Sequence, residues 1–174
     1  GGTHRSRVRW SSINDATSWT IGTNQADFQD IPDAGQITGL VGGEYGVVLL
    51  EKAIARMQYV GSPLIFTFEK VETNHGCNYP NSVASLGASQ VFYLADDGFF
   101  MFNGQKSIPI GAEKVDQFFF DDLDFANSDR ITCTIDPENQ CVMWGYPSIS
   151  GVGNPDRIIV YNYAVQKWAL VELD

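Results

Sequence analysis

Apolar and polar positions alternate in short runs along most of this chain, and turns rich in Gly, Asn, Asp and Pro break the runs every few residues. A period of two bounded by such residues predicts half-buried strands joined by tight turns. From Gln36 onward, Ile37–Val41 reads as a strand and Gly42-Gly43-Glu44-Tyr45-Gly46 as a turn. Strands follow at 47–50, 53–60 and 64–71, with Gly61-Ser62-Pro63 between the last two. Residues 53–57 also satisfy a helical turn by propensity, so that strand is the least distinctive.

The plan then repeats. Strands are expected at 82–86, 90–94, 99–102 and 106–110, with Asp97-Gly98 and Asn103-Gly104 as the intervening turns. Both dipeptides favour hairpins because glycine accepts the positive φ that tight turns need. A third unit follows at 131–135, 140–146, 157–163 and 166–173. Successive units start about one propeller blade apart, within the ~40–50 residues of four-stranded blades. The repeat is one of pattern, not of letters.

One segment departs from the two-residue period. Residues 112–123 place Val115, Phe118, Phe119 and Leu123 at helical spacing, which predicts a helix packed between units. Acids at its far end, Asp121, Asp122 and Asp124, oppose the helix dipole, so packing of the Phe face must hold it. Before Gln36 there is less than a unit: strands at 7–10 and 18–21 around a polar turn. The fold expected is all-β, a β-propeller-like array of about three four-stranded antiparallel units, an incomplete N-terminal unit and one inter-unit helix. Residues 1–35 form the incomplete unit and 36–75 the first full one. Residues 76–129 form the second, with helix 112–123, and 130–174 the third. Together they make one domain of a larger propeller or ring, since three and a fraction units do not close a ring alone. The chain is read as a piece of a longer one, as completed by other subunits, or as an open stack; unfilled edges favour assembly.

Composition narrows the function. A net charge of −10 opposes nucleic-acid binding, which needs a clustered basic surface. Arg5, Arg7 and Arg9 alternate along one strand and read as its solvated face. No apolar stretch approaches the ~18 residues of a membrane span, and Gly1 to Arg7 lack the apolar middle of a signal peptide. Three cysteines, Cys77, Cys133 and Cys141, are too few and too irregular for a disulfide framework. Cys133 and Cys141 flank one turn, but buried free thiols are the expected state, in keeping with synthesis in a reducing cytoplasm.

Catalytic chemistry finds little support. Phosphate loops and nucleophile elbows are absent from the sequence. His75 and Cys77 are too local in sequence to form a designed pair. The cysteines and histidines lack zinc spacing, and Asp96-Asp97-Gly98 and Asp121-Asp122-Leu123-Asp124 lack the alternation of a calcium loop. No catalytic, cofactor-binding or metal-binding residue is therefore expected, nor any cofactor.

Two likenesses remain. Ser12-Ile13-Asn14-Asp15-Ala16-Thr17-Ser18-Trp19 resembles a degraded Asp-box, the structural hairpin turn of sialidase-like propellers, with Asn14 and Ala16 in place of its Asp and Gly. Read more widely, Arg7-Val8-Arg9-Trp10-Ser11 with Asn14-Asp15 and Ser18-Trp19-Thr20 is similar to tailed-bacteriophage and prophage virion proteins with a β-propeller, of tail-hub, tail-nozzle or packaged-DNA-stabilisation type. The same likeness runs through Val41-Gly42-Gly43-Glu44-Tyr45-Gly46, Tyr59-Val60-Gly61-Ser62-Pro63, Val91-Phe92-Tyr93-Leu94-Ala95-Asp96-Asp97-Gly98-Phe99 and Ile110-Gly111-Ala112-Glu113-Lys114-Val115-Asp116.

The resemblance implies a non-enzymatic structural virion protein, made in the host cytoplasm. Its partners would be portal or tail subunits or copies of itself in a ring, with no membrane and no specific nucleic acid. An acidic channel wall would then repel DNA phosphates and let the duplex slide. The competing expectation is a carbohydrate- or receptor-binding propeller, for which exposed aromatics among Trp10, Trp19, Trp144 and Trp168 would speak. All four fall in or beside expected strands, so blade core is their expected place. A glycosidase would need facing carboxylates in a central pocket.

Overall fold

The computed structural model describes residues 4–173; Asp174 and Gly1 to Thr3, the start of the segment read for a leader, lie outside the described residues. Strands β1 (Arg7–Trp10) and β2 (Asp27–Asp30) form a two-stranded antiparallel ribbon. The first full sheet holds β3 (Ile37–Val41), β4 (Gly46–Leu50), β5 (Ile54–Gly61) and β6 (Ile65–Glu72). The second holds β7 (Ala84–Ser85), β8 (Val91–Leu94), β9 (Phe99–Phe102) and β10 (Ser107–Pro109). A helix, α1 (Asp116–Asp122), leads to the third sheet. That sheet holds β11 (Thr132–Asp136), β12 (Cys141–Tyr146), β13 (Arg157–Asn162) and β14 (Lys167–Glu172). Each full sheet is an antiparallel meander whose strand order follows the chain. The protein is all-β, a propeller-like array of three four-stranded units with an incomplete unit at the front and one helix between the last two sheets.

The alternation of side chains explains why the sheets stack. In β4, Val47 and Leu49 pack against the second sheet, while Val48 and Leu50 pack against the ribbon. In β8, Val91 and Tyr93 face the first sheet, while Phe92 and Leu94 face the third. Both strands are apolar throughout because both of their faces are covered. Val8 of the ribbon, with Ile31 and Ala34 just beyond it, closes the outer face of the first sheet. At the leading edge β7 touches β11, and a 3-10 turn at Pro80–Ser82 touches both β3 and β11. The first strands of the three sheets thus gather on one side, as blade-leading strands do around a propeller axis.

The last core is the largest. Phe99, Phe119, Trp144, Tyr146 and Trp168 pack edge-to-face, tilted or stacked with ring centres 4.8 to 5.9 Å apart. Trp144 is fully buried, and its indole N–H donates to the Ser82 carbonyl at 2.9 Å.

Four details correct the sequence reading. No strand forms at residues 18–21; the partner of β1 is β2, whose single apolar residue, Phe28, hid it from a periodicity search. The helix starts at Asp116 and not at residue 112. Lys114, Val115 and Asp116 all send their N–H groups to the Gly111 carbonyl, a tight turn with Glu113 at φ +58°. Phe118 is 44% exposed and does not share the buried face with Phe119 and Leu123. Residues 82–86 begin as the 3-10 turn, because Pro80 sets a helical φ there, and only Ala84–Ser85 pair.

Candidate interaction surface

The groups weighed for catalysis are engaged separately. The His75 Nδ1 lies 3.5 Å from the Asp97 carboxylate, and its ring sits 4.4 Å from Phe100. Cys77 is buried, its sulfur 3.2 Å from the Tyr79 carbonyl and 3.6 Å from the Ser82 hydroxyl. Burial pushes the Cys77 thiol up from its ordinary range, which suppresses the thiolate a nucleophile requires. Cys133 pairs with Trp144 and Cys141 with Asp136, so the two thiols face opposite sides of the third sheet and no hairpin bridge forms. Cys77 is the buried thiol; Cys133 and Cys141 are partly exposed.

The carboxylates serve the framework. Asp122 accepts from the Tyr146 hydroxyl at 2.9 Å and pairs with Arg157 at 3.0 Å, locking the helix to the third sheet. Asp124 caps the turn that follows, accepting from Ala126 N–H and Asn127 Nδ2. Asp116 accepts the Phe99 N–H at 3.1 Å and fits against Gly98 and Gly111, where an added methyl would overlap its carboxylate. Burial, with some repulsion from Asp97, raises its carboxyl above the ordinary range. Glu72 joins the first sheet to the second, accepting Asn74 N–H at 2.9 Å and Ser107 N–H at 3.0 Å. Burial opposes its charge, but those two N–H groups, with the Ser107 hydroxyl and His75, outweigh it and hold the carboxyl below its ordinary value. Among the described residues no group of three or more His, Cys, Asp or Glu side chains converges as metal ligands.

The basic residues are structural too. Arg7 forks onto Asp30 at 2.7 and 2.8 Å and lies 3.7 Å from the centre of the Phe28 ring. Arg9 donates to the Trp19 carbonyl and stands 5.9 Å over its indole. The box-like turn is a small closed loop. Asp15 accepts from Thr17 N–H and hydroxyl, the Ser12 hydroxyl is hydrogen-bonded to the Ser18 hydroxyl and the Thr23 carbonyl and ties its neck, and Trp19 Nε1 donates to the Ala16 carbonyl. Trp19 stays 43% exposed, so of the four tryptophans it is the one that departs from the blade core expected of it.

Two kinds of surface stand out once these groups are assigned. The first is an apolar end on the first sheet, where Leu40, Tyr59, Val60 and Leu64 are each at least half exposed, with Leu40 and Tyr59 lining an open groove of about 410 Å³. The second is the far face of the third sheet. Its register sets out three rows across the four strands: Thr132, Gly145, Ile158, Val171; then Thr134, Met143, Val160, Ala169; then Asp136, Cys141, Asn162, Lys167. All twelve are half-buried or exposed, whereas Val142, Trp144, Ile159 and Tyr161 on the opposite face are buried. The sequence carried a signal for this face that periodicity alone did not expose. β12 and β13 are apolar on both faces, as β4 and β8 are, yet among the described residues only one side is covered. A scan against models of protein families finds no match for this chain, and a search of curated proteins finds none either.

Proposed function

We propose that this chain is a non-enzymatic structural component of a tailed-phage virion, at the tail or the head–tail junction, acting through protein–protein assembly with portal or tail subunits. The observation that carries the reading is the uncovered third sheet. A stack of blade-like units that buries both faces of two sheets leaves an uncharged, two-row apolar face for another molecule. The turn and strand segments similar to propeller-bearing virion proteins supply the setting. The hydrogen-bonded ties of Cys77, Asp116 and Glu72, and the seat of His75 between Asp97 and Phe100, favour a scaffold over an active centre. An excess of acid suits a wall past which DNA moves without sticking. The test is quantitative mass spectrometry of purified particles encoded by the same genome. The chain should be present at a fixed ratio to the portal protein, and its absence from infectious particles would refute the proposal.

A second reading, a receptor- or glycan-binding propeller, is favoured by the exposure of Trp19 and Tyr59, since sugar faces stack on open rings. Binding on a glycan array, abolished by Trp19→Ala or Tyr59→Ala, would establish it; a blank array would remove it.

A further inference from the structure

We infer that the uncovered face of the third sheet is a contact between two copies of this chain, closed by the same face of the second copy about a two-fold axis parallel to the strands. The inference rests on the assembly reading above and names one partner for it.

Three observations support it. First, β12 and β13 have the sequence of strands buried on both sides. Met143, Ile158 and Val160 face outward between the fully buried Val142 and Trp144 and the nearly buried Ile159 and Tyr161. The face continues the series of sheet-on-sheet contacts that the chain already makes twice, and another sheet is the layer that such a surface packs against. Second, the first two of the three rows contain no charged residue, so a second copy of an acidic chain meets no like charge there. Third, the outer row places its two charges at opposite edges, Asp136 on β11 and Lys167 on β14. A two-fold axis along the strands lays β14 of one copy over β11 of the other at the same level. Each Lys167 then stands over the other copy's Asp136, so symmetry makes two such pairs and leaves neither charge unpaired. An axis across the strands would set Asp136 over Thr132 and Lys167 over Val171, pairing neither. The Asp136 carboxylate is held in place, accepting from Glu138 N–H at 3.0 Å and Asn139 N–H at 3.1 Å.

The size of the face fixes the strength. Four strands about 4.8 Å apart and about five residues long present roughly 300 Å² of planar footprint per copy. That is well under the ~800 Å² per partner of standard stable interfaces, so the association should be weaker than about 1 µM and depend on concentration.

Sedimentation velocity on the purified chain, from about 5 to about 500 µM, tests this. The mass should rise from 19.2 kDa toward twice that value across the range. Lys167→Glu, which opposes two acids to two acids, should weaken the dimer at least about tenfold. Ala169→Arg, on the exposed edge strand, should hold the chain monomeric; neither position is buried, and equal melting temperatures would confirm intact folds. Three outcomes overturn the inference: a monomer at every concentration, a dimer indifferent to both changes, or masses beyond a dimer. A monomer that is still built into particles defeats this contact and leaves the assembly reading standing. A dimer absent from particles does the reverse.

Discussion

Trp144 offers the sharpest test of the stacked-sheet architecture. It is fully buried in β12, 4.8 Å from Phe99 of the second sheet and 5.9 Å from Trp168, and its N–H reaches the Ser82 carbonyl at 2.9 Å. Trp144→Ala removes the largest buried side chain of the core and leaves a cavity, at a cost of about 3–5 kcal/mol. The Ser82 carbonyl loses its donor as well, a further ~1–3 kcal/mol wherever water does not enter the cavity. Against the ~5–15 kcal/mol of stability ordinary for a domain, the sum approaches unfolding. Trp144→Phe separates the two contributions by keeping most of the ring while losing the N–H, and should cost about 1–3 kcal/mol. Urea titrations followed by far-ultraviolet circular dichroism give both values. A double-mutant cycle with Phe99→Leu should then reveal ~0.5–1.5 kcal/mol of coupling between the two rings. An alanine variant within ~0.5 kcal/mol of the parent, or a cycle with no coupling, would mean that the second and third sheets do not share this core.

Gly111→Ala should destabilise, read as a fall in melting temperature, because the new methyl pushes aside the Asp116 carboxylate that accepts the Phe99 N–H; Gly42→Ala, in open space, should be nearly silent. Glu72 has a depressed carboxyl, so its contribution is complete above the ordinary value of 4.5 and is lost as pH falls through the lower folded value. Urea titrations between pH 6 and pH 3 should therefore show Glu72→Gln less stable than the parent at the upper end and the gap narrowing with acid; a constant gap would discount the carboxylate. In native protein treated with a maleimide, Cys141 on the open face should label before Cys77 and Cys133, whose thiols burial pushes up, and intact and peptide mass spectra would show the order.

Much of this fold was legible in the chain because two-residue alternation and Asx-Gly turns are local signals. β1, β3 and β9 fall at the expected residues, and most other strands within one or two. Failures came where the deciding contact is distant or the signal is thin. Residues 18–21 looked like a strand because Trp19 and Ile21 alternate with polar neighbours. There the closed loop around Asp15 and the Arg9–Trp19 contact prevailed over pairing. Asp27-Phe28-Gln29-Asp30 pairs with β1 through the Arg7–Asp30 fork, a non-local tie invisible to periodicity. The helix pattern placed Phe118 inward beside Phe119. Successive helical residues point about 100° apart, and Phe119 and Leu123 take the buried side while Phe118 turns to solvent. The candidate surface was half legible: apolar runs in β12 and β13 announced two covered faces, but only the register showed which one stays open.

Linear arrays of similar units tend to come apart from their ends, because each unit meets only its immediate neighbours. Ser82 works against that tendency. Its hydroxyl accepts the Leu94 N–H from β8 and lies beside the sulfur of Cys77, and its carbonyl holds the Trp144 indole of the third sheet. One small residue in a three-residue turn therefore fastens consecutive layers to a single point. The third sheet cannot peel away without also exposing the second, which makes loss of structure a concerted event.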